Sequence, residues 1–248
     1  MQHRSRFGRQ LCIAVDAARY SALDSVAQYD LQKVLSGILD EAAGSANLNR
    51  GAWVKQPQGD GEFALVPPDQ PEPRLIDDFI RELDATLELH NHGRVPEARL
   101  RLRVAMDFGV AYEAPFGFAG EAVVNAARLL TSDALHQALA NTDDANLAVA
   151  LSVTVYQTVL ERHTSISAGD FTRASVSEKE YSGQAWIRVL TRHPSGTKPA
   201  DEPKQSSTRQ RRSTPRKPPG PRYSVQNNFH APVDAEVIGI KMSAAGED

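Results

Sequence analysis

The chain has one cysteine, Cys12, among 248 residues, so no disulfide can form within it. Cys12 lies in the apolar run LCIAV, and apolar surroundings raise the pKa of a thiol and make it unreactive. We therefore predict a buried structural cysteine in a reducing compartment. Long hydrophobic runs are also missing where a leader would stand, because LCIAV is too short for a signal-peptide core or a membrane span. These absences predict a cytoplasmic protein without a membrane segment.

Net charge is small as well, at −3 for the whole chain, but it is unevenly distributed. Acidic residues dominate the first two thirds, and basic residues crowd the stretch from Lys198 to Arg222. Residues 193–223 are rich in proline, serine, threonine and basic residues, which predicts a disordered linker. Aromatic residues that would stack on bases are not interleaved with its basic residues, so nucleic acid is the weakest of the partner hypotheses.

The chain therefore divides into a folded domain at residues 1–192, the basic linker at 193–223 and a short C-terminal motif at 224–248. This motif contains the β-prone stretch SVQNNFHAPVDAEVIGIKM. Such a tethered segment can add a strand to a partner protein, stack on its own copies or pack back on the domain. It is similar to short amyloid-like signalling motifs of bacterial immune proteins, which implies a protein partner.

Periodicity predicts the elements of the folded domain. Leu11 to Val15 is a buried strand that ends at Asp16, and a helix with Ser21 as its N-cap follows it. Asp60-Gly61 is a hairpin signal. The remaining predictions are a helix over 75–89, strands over 100–106 and up to 112, a helix over 121–139, strands over 147–153, 171–176 and 184–190, and a short helix over 155–162. Alternating elements with hairpins between them favour a ferredoxin-like α+β sheet of the βαββαβ type.

Two carboxylates stand where such a sheet can bring them together. Asp16 follows the first buried strand, and Asp60 lies at a hairpin tip between two glycines. Carboxylates at adjacent strand ends bind Mg²⁺ or Mn²⁺ when phosphates supply the remaining oxygens. The backbone N–H groups of residues 17–21, ahead of a helix, suit a polyphosphate.

Five segments, in order, resemble one family. The run VDAARYS is similar to the metal-binding opening of class III (adenylate/guanylate) nucleotide cyclases, and QGDGEFAL is similar to their Gly-Asp hairpin. LRVAMDFGVAY resembles their Arg-x-Gly-x-His-x-Gly strand, GEAVVNAARLL their Gly-x-x-Val-Asn-x-Ala-x-Arg helix, and VSEKEYSGQAWIRV their closing hairpin. The resemblance spans roughly residues 9–191 and identifies a divergent bacterial cyclase homology domain.

The resemblance implies a head-to-tail homodimer that converts a nucleoside triphosphate to a 3′,5′-cyclic nucleotide and pyrophosphate. By position, Asp16, Asp60 and the Ala17 carbonyl would hold two Mg²⁺ or Mn²⁺ ions. Arg128 would stabilise the transition state from the other protomer, with Asn125 as its partner. Positions that would contact the nucleotide are Ala18, Arg19, Tyr20, Ser21, Gln56, Gly117 and Lys179.

Departures from the family pattern leave two questions open. Val124 stands at the position of the family's transition-state asparagine, and Asn125 comes one residue late, about 100° further around a helix. Gln56 and Gly117 stand at the base-reading positions, where neither the adenine pair nor the guanine pair is present. The base therefore stays unassigned, and pyrimidine cyclases of bacterial defence share the fold. The alternative function is a catalytically degenerate cyclase-fold module that senses a nucleotide or dimerises, and acts through the C-terminal motif.

Overall fold

The computed structural model describes residues 8–160, 165–178 and 181–191. The predicted linker, the C-terminal motif and Lys179 lie outside these residues. Among the helices that are described, none is both long enough and apolar enough to cross a membrane.

The first half of the domain is a ferredoxin-like unit, as the alternation of elements predicted. Strand β1 lies between β3 and β4, β2 pairs with the outer side of β3, and all three pairings are antiparallel. This is the strand order of a βαββαβ unit, with helices connecting β1 to β2 and β3 to β4. The elements are β1 (Gly8–Ala17), α1 (Ser25–Ser45), β2 (Val54–Pro57), β3 (Gly61–Val66), α2 (Glu72–Ile76), α3 (Asp78–Asn91) and β4 (Leu102–Ala114).

The second half extends the same sheet beyond β4. Strand β6 runs parallel to β4, β8 pairs antiparallel with β6, and β7 forms the edge, while the short β5 pairs with the far end of β4. The elements are β5 (Gly117–Ala119), α4 (Glu121–Thr131), α5 (Asp133–Ala140), β6 (Ala145–Ser152), α6 (Val153–Val155), β7 (Thr172–Glu178) and β8 (Tyr181–Thr191), with a π-helical turn at Tyr156–Leu160.

Side chains of the sheet alternate between two apolar layers. Leu11, Ile13 and Val15 of β1 face a core built with α1, α2 and α3. Cys12 and Ala14 face the opposite core, under α4 and α5. That second side, hereafter the α4/α5 face, carries mostly small residues, which let α4 pack close to the sheet. Cys12 is fully buried, as predicted.

Several predicted boundaries were wrong. The helix predicted over 75–89 is two helices, α2 and α3, which are separated at Asp77. The helix predicted over 121–139 is two helices, because Ser132 leaves the helical conformation and its hydroxyl accepts a hydrogen bond from the Leu135 amide. The two strands predicted between residues 100 and 112 are the single strand β4. Ser21 is not the N-cap of α1, because a 3₁₀ turn occupies Tyr20–Ala22 and Asp24 caps the helix through the Ala27 amide.

Candidate active site

Asp16 lies near the end of β1 on the α4/α5 face, and the Asp60 hairpin closes against it. Register places Asp16 opposite Gly61, and the Ala17 amide donates to the Asp60 carbonyl at 2.8 Å. Burial raises the pKa of Asp16 above its usual value, the hydrogen bond and charge of Arg103 oppose that rise, and the negative charge of Asp60 adds a smaller rise. The fold therefore holds the backbone of the Asp60 hairpin against the strand end that carries Asp16.

Gly61 makes this close approach possible. A Cβ added at this glycine would stand 1.8 Å from the Val15 carbonyl oxygen. The glycine next to Asp60 is therefore required by the distance between β3 and β1, and not only by the tight turn that the sequence indicated.

Arg103 is the residue of this site that the sequence analysis missed. It lies opposite Asp16 on β4, and its guanidinium donates to both carboxylate oxygens, at 2.7 Å from Nε and 2.8 Å from Nη2. Both side chains are 14% exposed. Arg103 stands between the apolar residues Leu102 and Val104 in the sequence, which indicates the opposite face of the strand, but only the register between β1 and β4 shows its partner.

His136 of α5 stands near this ion pair. Its Nε2 is buried without a hydrogen-bond partner among the described residues. Burial lowers the pKa of His136, Arg103 lowers it further, and Asp16 partly offsets both effects. His136 therefore adds an uncharged imidazole beside the Asp16–Arg103 pair near neutral pH.

The loop after Asp16 contains backbone N–H groups that can donate hydrogen bonds to a ligand. The Ala18 amide donates to the Arg101 carbonyl at 2.9 Å, and Arg19 adopts a left-handed conformation with φ 65°. The N–H groups of residues 19–21 have no hydrogen-bond acceptor within the described part of the chain. Tyr20 is held at its hydroxyl by a hydrogen bond from Gln32 at 2.7 Å. Because α1 begins only at Ser25, these amides belong to the loop and the 3₁₀ turn, not to the helix N-terminus that was predicted.

A second group of predicted site residues lines an open cavity of about 520 Å³ beside α4. Gln56, Val124 and Arg128 share this cavity with Phe63 and Phe118. Gly117 lies against it, since a Cβ there would stand 2.4 Å from the Gln56 side-chain oxygen. Gly117 also has φ +116°, which favours glycine. The two base-reading positions assigned from the sequence are therefore neighbours in space.

Val124 and Asn125 point in different directions, as the 100° step predicted. Val124 is 45% exposed and lines the cavity with Arg128. The Asn125 amide instead donates to the Asp107 carboxylate at 2.9 Å. Asp107 is buried on the α4/α5 face, so the Asn125 amide is bound to the sheet.

Asp107 of β4 lies opposite Cys12 of β1, and both side chains are buried. Burial raises the pKa of Asp107, while hydrogen bonds from Ser152 and Asn125 oppose that rise. Burial, followed by the charge of Asp107, raises the pKa of the Cys12 thiol to about 12. Such a thiol is unreactive, as the sequence predicted.

Comparison with known proteins supports the fold assignment through structure alone. No protein-family model and no curated protein matches the sequence. Among solved structures, the chain is similar to an adenylate/guanylate cyclase/hydrolase from Silicibacter pomeroyi, with a TM-score of 0.51 and 19% identity over 74% of this chain and 98% of that one. It is also similar to the guanylyl cyclase Cya2, with a TM-score of 0.53 and 12% identity over 75% of this chain and 92% of that one. A bacterial light-regulated adenylyl cyclase matches with a TM-score of 0.50 and 15% identity, over 74% of this chain and 52% of that one.

The described domain has the nucleotide cyclase fold. At identities of 12–19%, these structural similarities establish the architecture only. The chemistry has to be argued from the residues of the site.

Within this cyclase fold the predicted site residues form two separate groups. Neither Asp16 nor Asp60 lines the cavity that holds Arg128. The described residues include no group of three or more acidic, histidine or cysteine side chains that could hold a metal ion unaided. Two carboxylates nonetheless fit a Mg²⁺ ion that arrives with a polyphosphate, because Mg²⁺ keeps several oxygen ligands from water and phosphate.

Proposed function

We propose that the chain is a metal-dependent nucleotidyl cyclase that converts a nucleoside triphosphate to its 3′,5′-cyclic monophosphate and pyrophosphate. The observation that carries the proposal is the pairing of Asp16 with the Asp60 hairpin in a cyclase fold. The close approach at Gly61 supports it, because the hairpin carboxylate is held next to the strand end by backbone contacts.

Asp16, Asp60 and the Ala17 carbonyl would hold two Mg²⁺ or Mn²⁺ ions with the triphosphate. A metal ion bound there would neutralise negative charge on the phosphates. Arg103 now donates to both oxygens of Asp16 and so competes with a cation for that carboxylate. Because a guanidinium donates equally well to phosphate, Arg103 would be able to bind the triphosphate if Asp16 held the metal.

The loop after Asp16 would hold the triphosphate itself. The N–H groups of Arg19, Tyr20 and Ser21 point to this role, since the described residues provide them with no acceptor. Oriented backbone N–H groups in a loop bind phosphate oxygens. Lys179, outside the described residues, stays a candidate for closing on the phosphates.

Arg128 would act from the other protomer of a homodimer, stabilising charge on the transferred phosphate. The cavity that it lines is open on one side and bordered by Phe116, which is fully exposed. An exposed apolar border of this kind is typical of an interaction surface. Asn125 is the weaker catalytic candidate, since its amide is bound to Asp107. Gln56 both donates and accepts through its amide, so it can pair with any of the four bases, and the base stays open.

A second candidate function is the nucleotide-sensing module without turnover. Two observations favour it: Asp16 already has a cationic partner in Arg103, and Val124 lacks a hydrogen-bonding group beside Arg128. In this alternative the fold would bind a nucleotide or dimerise and act on a protein partner through the C-terminal motif.

Product formation separates the two functions. The full chain is incubated with Mn²⁺ and each of ATP, GTP, CTP and UTP, and cyclic products are identified by mass spectrometry. The cyclase proposal predicts one or more cyclic products that disappear in Asp16→Ala and Asp60→Ala and persist in the exposed control Asp69→Ala. Metal-dependent nucleotide binding without product from any of the four would establish the sensor instead. Removing residues 192–248 tests the motif, and unchanged partner binding and oligomeric state would eliminate its proposed role.

A further inference from the structure

A second cavity lies on the α1/α3 side of the sheet and reaches the loop after Asp16. It has a volume of about 440 Å³ and lies between the N-terminal half of α1 and the connection from α3 to β4. Leu23, Leu31 and Val34 of the α1 region and Leu100 before β4 form its apolar floor. The volume falls within the range of small-molecule sites, which are concave and mostly apolar with few polar groups.

Three arginines lie at the mouth of this cavity. Arg19 comes from the loop after Asp16, and Arg94 and Arg99 come from the α3–β4 connection. Asp30 and Glu97 lie on the same rim, yet none of the ion pairs within the described residues involves these three arginines. Three guanidinium groups thus face two carboxylates with which they do not pair.

Backbone contacts fix two of these guanidinium groups in place. Nε of Arg94 donates to the His90 carbonyl at 2.8 Å, and Nε of Arg99 donates to the Arg94 carbonyl at 3.4 Å. These contacts use one N–H of each group, and a guanidinium has five. The remaining N–H donors are available for an anion at the rim.

Arg19 and Arg99 lie close enough to Arg101 for their charges to affect its pKa. Burial lowers the pKa of Arg101, and the charges of Arg19 and Arg99 lower it further, while Asp143 and Asp144 oppose that effect. The cavity rim has three guanidinium groups and two carboxylates, and this excess of positive charge favours an anion.

We propose that this cavity binds a small amphipathic anion, with its apolar body on the Leu23–Leu31–Val34 floor and its carboxylate or phosphate head on Arg94 and Arg99. The shape gives room for the apolar body, and the rim supplies donors that match a planar carboxylate or a phosphate. The occupant would also contact the loop after Asp16, because Ala18 and Arg19 line the cavity.

A matched pair of fluorescent probes tests the proposal on the full chain. 1-Anilinonaphthalene-8-sulfonate carries the anionic head, and N-phenyl-1-naphthylamine has the same apolar body without it. We expect saturable binding of the anionic probe at one site, displacement by decanoate, and weakening by added salt. The neutral probe should bind more weakly and show no dependence on salt.

Substitutions then locate the binding. Arg94→Gln and Arg99→Gln should each weaken the anionic probe about tenfold and leave the neutral probe unchanged, because each removes one charge-assisted contact. Arg74→Gln, an exposed arginine on α2, is the matched control and should change neither. Ala27→Trp, which fills the cavity, should abolish binding of both probes.

Three outcomes would overturn the proposal. They are no saturable binding of the anionic probe, equal affinity of the probe for the wild-type chain and both arginine variants, or loss of binding on Phe116→Ala, which would place the probe at the apolar border of the Arg128 cavity. Circular dichroism of each variant establishes that it is folded, and the arginine variants test the proposal even if Ala27→Trp does not fold.

Discussion

The Asp16 site and the Arg128 cavity differ in how the fold holds them. At Asp16 every group is fixed from within the protomer, by strand register, by the Gly61 approach and by the Arg103 ion pair. At Arg128 the neighbours Val124 and Phe116 are exposed, and the cavity is open. The groups around Asp16 all come from one chain, whereas the Arg128 cavity is open to solvent. The difference fits the proposed function, in which Asp16 and Asp60 would hold the metal within one protomer and Arg128 would act on the nucleotide of the other.

The largest expected effect is at the approach between β1 and β3. Gly61→Ala should lower the free energy of unfolding by about 3 kcal/mol or more, because the new Cβ meets the Val15 carbonyl and the hairpin must move. Chemical denaturation measures it. Gly37→Ala is the matched control: it has open space on α1 and should raise stability by about 0.5–1 kcal/mol. Equal stability of Gly61→Ala and the wild type would contradict the tight hairpin that the Asp16 site requires.

Arg103→Met should come next in size. It leaves the buried Asp16 carboxylate without its partner, which should cost about 2 kcal/mol of stability. The same change removes a cation that competes for Asp16, so the affinity for Mn²⁺ measured without nucleotide should rise. Calorimetry of unfolding and of Mn²⁺ binding reports both quantities. If Mn²⁺ affinity fell instead, Arg103 would be assisting the metal and not competing with it.

Asn125→Ala tests whether that amide serves the fold or the reaction. Loss of its hydrogen bond leaves a buried acceptor on Asp107, which should cost about 1–2 kcal/mol. Any cyclase activity measured per folded molecule should change little. A large loss of kcat in a fully folded Asn125→Ala chain would restore Asn125 to the catalytic group.

Val124→Asn should have the smallest effect on stability, within about 0.5 kcal/mol, because the residue is exposed. It places an amide beside Arg128, where the family pattern has asparagine. We expect a higher kcat, with Val124→Ala as the control that should give no gain. An unchanged rate in Val124→Asn would show that this position does not limit turnover.

Sequence periodicity predicted most of the sheet because the signals are local. Alternation in β4 and the Asp60-Gly61 turn determine the elements from neighbouring residues alone. The break at Ser132 was missed because its surroundings continue the helical spacing, and a serine cap is a weak signal without glycine or proline. Similarly, Ser21 and Asp24 are both good caps, and only the intervening 3₁₀ turn decides between them.

The site was harder to predict where it depends on contacts between distant segments. Asp16 and Asp60 could be paired because each has its own local signature. The ion pair of Arg103 with Asp16 joins residues 87 positions apart and depends on the register between their strands. The cavity beside α1 combines the loop after Asp16, α1 and the α3–β4 connection. Helix geometry predicted that Asn125 and Val124 point in different directions. It did not predict that Asp107 is the hydrogen-bond partner of Asn125.

Binding of Mn²⁺ tests the central claim most directly. Mn²⁺ is titrated into the full chain with a non-hydrolysable nucleoside triphosphate, and free ion is followed by electron paramagnetic resonance. We predict two Mn²⁺ ions per site in the presence of the nucleotide, and loss of this binding in both Asp16→Ala and Asp60→Ala but not in Asp69→Ala. Nucleotide-dependent Mn²⁺ binding of equal affinity and stoichiometry in the wild type and both aspartate variants would contradict the assignment of the site.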